Sequence, residues 1–210
     1  MSETRERLLD AAEQLFAEKG LHRTSAREIV DAAGQRNASA IQYHFGGRSG
    51  LLEALTERRM HGIEDDRRVR LDALGGDVGA ADTRAVLACL VDPVLERCRD
   101  DDGFRAYLRA FGELSLSPGL AIAGNRTELE SMRRVRAALA GRFDAPPAVL
   151  GVRVEALTRF VLQNISMRAR SDAGFEDPGF ARFRANLLDM AVGLLTAEVS
   201  AETHRAHAAD

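Results

Sequence analysis

The sequence predicts an all-α fold in two parts, a small three-helix N-terminal domain joined to a larger helical body. Three observations predict it. Apolar residues recur at spacings of three and four almost from end to end, and no segment is rich in alternating β-branched residues. Glycine or proline punctuates the pattern at Gly20, Gly34, Gly46-Gly47, the segment GGDVGAAD (75–82), Pro118, Pro146-Pro147 and Pro178.

The first helix spans about Glu3 to Lys19, with Leu8, Leu9, Ala12, Leu15 and Phe16 on one face and Gly20 in the left-handed position that ends it. A second opens at Ser25, whose hydroxyl can accept an orphan N–H while Glu28 reaches back, a capping box. Ile29, Val30 and Ala33 give it an apolar side and Gly34 stops it. A third, short helix of about Asn37 to Phe45 follows a turn of three residues, and a fourth runs from after Gly46-Gly47 to about Leu74. Beyond the 75–82 break, helices are expected at about 82–99, 103–116, 125–142, 147–171 and 178–200. Pro118, Pro146, Pro147 and Pro178 lie between helices or at their starts, where a missing N–H is tolerated. The tail AETHRAHAAD is expected to fray.

Composition excludes several classes of function. Of 210 residues 45% are apolar and 29% charged, the balance of a globular protein. No apolar stretch approaches the ~18 residues a spanning helix needs, and the charged N-terminus lacks a signal peptide's apolar segment, so a cytoplasmic protein with no membrane partner is expected. Cys89 and Cys98 lie on opposite sides of one predicted helix and cannot pair within it. They read as small buried hydrophobes in a reducing compartment. No Ser-His-Asp arrangement, nucleotide loop or ordered Cys-His set is present, so neither an enzyme nor a cofactor is expected. His204 and His207 lack a nearby third ligand for a metal. Glu64-Asp65-Asp66 reads as a solvated face and Asp100-Asp101-Asp102 as a helix N-cap.

The net charge of −3 advertises no nucleic-acid partner, but its distribution does. Residues 19–48 hold Lys19, Arg23, Arg27, Arg36 and Arg48 against Glu28 and Asp31. Within that segment, residues 25–45 have the spacing of a helix-turn-helix. If the short helix begins near Asn37, Ala38, Ile41 and Phe45 share the side that packs inward. Arg36, Ser39, Ala40 and Tyr43 then face outward, flanked by Asn37 and His44 on one side and Gln42 on the other. Arginine can pair with guanine, asparagine or glutamine with adenine, and serine with several bases. Arg36, Asn37, Ser39 and Gln42 are therefore candidate base contacts. Tyr43, His44 and Arg48, with Ser25 and Arg27 at the start of the second helix, are candidate phosphate contacts.

Residues 5–53 resemble the DNA-binding domain of the tetracycline-repressor (TetR) family. The resemblance rests on RERLLDAAEQLFAEKG, SAREIVDAAG and YHFGGRSGLLEAL, with His44-Phe45 and the following basic residue at the family's most recognisable positions. Two departures stand out: QRNASAIQY appears one residue longer than the commonest pattern, and Arg48 replaces a lysine without the acid that often follows. The resemblance implies a DNA-binding head of residues 1–48 and a ligand-binding, dimerising body of residues 49–210. Its partners would be a double-stranded DNA operator, a second copy of the chain and a small-molecule effector that releases the DNA, with repression the default.

The apolar circumference of the helices at 147–171 and 178–200 suggests that they pair with their symmetry mates. A mostly apolar effector would lie among Phe104, Tyr107, Leu108, Phe111, Met132, Val135, Phe160, Gln163, Asn164 and Met167. The rival readings are a regulator that answers a protein partner instead of a ligand, and a helical enzyme using the body pocket.

Overall fold

The structure is a computed structural model that describes residues 3–75, 78–111, 129–140, 142–143, 145–171, 174–175 and 178–207. The side chains of Ala110 and Phe111 also lie outside the description. All of the regular structure described is helical, as the periodicity predicts.

The N-terminal elements are α1 (Glu3–Lys19), α2 (Ala26–Ala32), α3 (Ala40–Phe45) and the long α4 (Arg48–Ala73). After a 3₁₀ turn (Val78–Ala80) come α5 (Thr83–Asp100), α6 (Asp102–Phe111), α7 (Glu130–Leu139), α8 (Pro147–Arg170), α9 (Gly179–Thr196) and α10 (Ala201–His207). Residues 112–116 and 125–128, expected to extend α6 and precede α7, lie outside the described residues, as does Pro118.

Local chemistry sets most of these boundaries. Gly20 takes a φ of 81° after α1, and Asp82 caps α5 by accepting from the amides of Arg84 and Ala85. The tail differs from expectation: α9 ends at Thr196, and α10 forms where fraying was expected. Ser200 explains it, because its hydroxyl accepts from the Thr203 amide and caps the new helix.

Pro93 lies inside α5, a position the sequence reading passed over. Its missing N–H leaves the α5 hydrogen-bond ladder one donor short. Nearby, the Leu90 carbonyl accepts from the Arg67 guanidinium of α4, at 3.3 and 3.2 Å. Arg67 is buried, and loss of hydration lowers its pKa to about 10.

Apolar burial divides the chain within α4. One cluster unites Leu8, Leu9, Ala12 and Phe16 of α1 with Ile29 and Val30 of α2, Ala40 and Ile41 of α3, and Leu51, Leu52 and Leu55 of α4. The other begins at Ile63 of α4 and takes in α5 to α9. Leu51, Leu52 and Leu55, beyond residue 48, belong to the first cluster, and Ile63 belongs to the second. One rigid helix serves both cores. Among the described residues no helix is long and apolar enough to cross a membrane.

Candidate nucleic-acid interface

The interface is built on the turn between α2 and α3. After α2, Gly34 adopts a φ of 68° and the Gln35 amide bonds back to the Val30 carbonyl at 3.0 Å, which turns the chain sharply away. The Asn37 carboxamide then accepts from the Ser39 amide at 2.9 Å, and the Ala40 amide bonds the Asn37 carbonyl at 3.0 Å. Asn37 thus spends its side-chain oxygen on closing a turn, and α3 starts at Ala40.

This later start corrects the helical wheel. Arg36 sits in the non-helical turn, Ala38 is exposed, and Ala40 is buried beside Ile41 in the head core. The sequence reading had Ala38 inward and Ala40 outward because it carried helical register through residues 37–39. What α3 presents to solvent is Gln42 and Tyr43, the latter 82% exposed, with His44 and Phe45 half-buried behind them. Arg36, Asn37 and Ser39 are exposed on the preceding turn. The Tyr43 and His44 rings meet edge to face at 4.9 Å between centroids, which steadies the tyrosine at the helix end.

The glycines after α3 have steric reasons. Gly46 and Gly47 have φ values of 71° and 124°, backbone that side chains rarely adopt. A Cβ on Gly50 would fall 1.9 Å from the Phe45 carbonyl oxygen, so α3 and α4 can approach this closely only with glycine there.

Three expected phosphate contacts are engaged inside the head. The Ser25 hydroxyl accepts from the Glu28 amide at 3.2 Å and the Ser25 amide donates to the Glu28 carboxylate at 2.8 Å, completing the predicted capping box, while the hydroxyl donates to the same carboxylate. Lys19 bonds the same carboxylate at 2.7 Å, and together with the Ser25 groups it holds the Glu28 pKa down to about 2. Arg27 pairs with Asp31 at 3.0 Å.

Arg48 departs furthest from expectation. Its guanidinium donates to the carbonyls of Thr24, at 2.8 Å, and of Leu21, and stacks over the Phe16 ring at 5.3 Å. It clamps the start of α4 to the α1–α2 connection. Nothing in its sequence position distinguished this use from a phosphate contact, because both exploit the same fork of donors.

The residues grouped as effector contacts are less unified. Phe104, Tyr107, Leu108 and Val135 are buried in the body core, Met132 and Phe160 are half-buried against it, and Phe111's side chain lies outside the description. Met167 is 60% exposed and lines no interior of this protomer. Asn164 donates to the Phe160 carbonyl of its own helix at 2.8 Å, which uses the group expected to anchor a ligand. Among the described residues, the buried Gln163 Oε1 has no hydrogen-bond partner. Tyr107 stacks on Phe104 at 5.8 Å, and its hydroxyl meets Thr56 Oγ1 of α4 at 3.3 Å. Burial pushes its pKa up to about 12, so it remains a neutral hydrogen-bonding group.

A short helix carried on a glycine-opened turn, braced by two longer helices and joined to a separate helical body, defines a helix-turn-helix protein. Residues 8–55 match the family model for bacterial regulatory proteins, tetR family, so the head is similar to that family's DNA-binding domain. The chain is 30% identical over 92 residues to "Probable HTH-type transcriptional regulator YttP" of Bacillus subtilis, covering 44% of this chain and 42% of that one. It is 36% identical over 87 residues to the HTH-type transcriptional repressor KstR2 of Rhodococcus jostii, covering 41% and 39% respectively. These matches thus span about two fifths of the relatives' length. The fold extends further. NalD, the secondary repressor of the MexAB-OprM multidrug efflux pump in Pseudomonas aeruginosa, superposes with a TM-score of 0.60 over 94% of this chain and 98% of its own at 18% identity.

The Arg48 geometry gives a test of its role. Arg48→Ala should lower the stability of the head by about 1–3 kcal/mol in urea unfolding, from two lost carbonyl bonds and the ring contact. Unchanged stability with uniformly weaker DNA binding would restore it as a phosphate contact.

Proposed function

We propose that the chain is a dimeric transcriptional regulator of the cytoplasm that binds a palindromic operator through α3 and the turn before it, and that a small molecule in the body releases it. The observation that carries the reading is the outward set of Arg36, Asn37, Ser39, Gln42 and Tyr43, polar groups of base-reading chemistry on a segment held rigidly by the head core. His44 supports Tyr43 from the same helix. Ser25 and Arg27 reach a phosphate only by sharing their present partners, and Arg48 acts chiefly by setting the angle of α4.

Dimerisation through α8 and α9 is supported by what these helices leave uncovered. Val152, Met167 and Met190 are 66%, 60% and 39% exposed. Gly151 and Gly193 lie within α8 and α9, and a Cβ on either would meet nothing within 4 Å. Helical glycine costs about 1 kcal/mol relative to alanine, and no neighbour within the protomer requires it. Close approach of a partner helix supplies the requirement. Leu188 and Leu195, in contrast, are buried in the protomer's own core and belong to its folding.

The effector is assigned to the region among α6, α7 and α8, where the unpartnered Gln163 Oε1 offers a polar anchor among apolar walls. Its effect would pass to α4 through the Tyr107–Thr56 contact. An effector that prefers the non-binding arrangement by ~1–3 kcal/mol lowers operator affinity by roughly 5- to 150-fold.

Two outcomes are expected. Selection from random duplexes should recover a near-palindromic site, and Arg36→Ala should relax preference at one position per half-site by ~1–3 kcal/mol. Recovery of no symmetric site contradicts the reading. In sedimentation at micromolar concentration the native chain should be a dimer and Gly193→Leu a folded monomer; a Gly193→Leu dimer would place the interface elsewhere.

A further inference from the structure

We propose that the cleft between α8, the α9–α10 connection and Phe143 is a binding site for a small organic carboxylate, separate from the region among α6, α7 and α8. The cleft has a volume of ≈ 420 Å³ and is lined by Arg142, Phe143, Arg153, Thr196, Glu198 and His204 among others. That volume suits a small molecule rather than a macromolecular segment.

Its charge is unbalanced. The Arg142 guanidinium donates to the carbonyls of Val78 and Gly79, both at 2.8 Å, to that of Ala81 at 2.5 Å, and to Thr83 Oγ1 at 3.4 Å. Arg153 donates to the carbonyls of Leu195 at 2.9 Å and Glu198 at 3.5 Å. All of these acceptors are neutral. They satisfy donors but cancel no charge, and among the described residues neither guanidinium forms an ion pair. Arg142 Nε is in addition buried with no hydrogen-bond partner among the described residues. Among the described lining residues, two guanidiniums and an imidazole therefore face one cleft against the carboxylate of Glu198.

The geometry selects among anions. The Arg153 guanidinium matches a planar carboxylate, Arg142, whose terminal nitrogens already donate to carbonyls, adds its charge alone, and Phe143 provides a face for the rest of an organic molecule. The Glu198 carboxylate repels a phosphate dianion more than a monoanion. Thr196 donates its hydroxyl proton to the Val192 carbonyl at 3.0 Å, so toward the cleft it offers only lone pairs, suited to a ligand hydroxyl or amide.

The test is NMR titration of the full chain with the monoanions benzoate, phenylacetate and 3-hydroxybenzoate, beside benzamide and inorganic phosphate. It reads binding alone, so its outcome is independent of operator binding. At least one acid should saturate with a Kd below about 1 mM, with shifts centred on Phe143, Thr196, Val199 and His204. Benzamide should bind at least about tenfold more weakly than benzoate if benzoate is that acid. Arg153→Met should weaken binding by about tenfold and Arg153→Lys recover part of it. Because Arg153 also ties down the end of α9, His204→Ala, on an exposed side chain, provides the second variant and should weaken binding without changing the circular dichroism spectrum. The proposal is overturned if none of the acids saturates, if benzamide or phosphate binds as well as they do, or if the shifts map outside the cleft.

Discussion

The Glu13 carboxylate of α1 accepts from two consecutive arginines of α4, from Arg58 Nη2 at 2.6 Å and from Arg59 Nε at 2.5 Å, and Arg59 continues to Asp101 at 2.9 Å. Asp101 in turn accepts from the Phe104 amide at 2.9 Å and so caps α6. One chain of charge-assisted bonds thus joins the head, the shared helix and the first turn of a body helix. Burial alone would lower the Arg59 pKa, yet Glu13 and Asp101 more than reverse this and leave it raised. The cation is firmly held, and removing Glu13 would strand two half-buried arginines.

The rest of the molecule follows from that junction. The two apolar cores share α4 but have no buried residue in common, so the orientation of the head is set where α1 meets α4 and α6. Arg48 fixes the other end of the lever by binding the Leu21 and Thr24 carbonyls. Tyr107 brings α6 onto Thr56, one turn before Arg59. A change in the packing of α6 must therefore be felt at the head, either through Thr56 or through Asp101. Bistability at this junction is the physical requirement for any ligand to control the spacing of two heads.

Much of the fold could be read from the residues themselves. The Glu3–Lys19 and Arg48–Ala73 helices are long and periodic, and Gly20 and Gly46-Gly47 mark their ends chemically. The Ser25–Glu28 capping box was equally legible, because both partners lie three residues apart in the chain. The start of α3 was not. Asn37 can serve as a helical residue or as the acceptor that closes a turn, and only tertiary packing of Ala40 and Ile41 decides between them. Arg48 and Asn164 show the same limit: each side chain is ambiguous in chemistry, and it bonds carbonyls 24 and 27 residues away in one case and the preceding turn of its own helix in the other. The α10 cap at Ser200 was visible but was overshadowed by the polar tail around it.

Under the proposed function, residues 35–45, held by the head core and oriented through α4, meet DNA directly. Hydrogen exchange with and without the selected duplex tests it. Binding should protect the amides of the turn and of α3 in both protomers while leaving those of α5 and α9 unchanged. Protection confined to the body, with residues 35–45 exchanging as in the free protein, would contradict it.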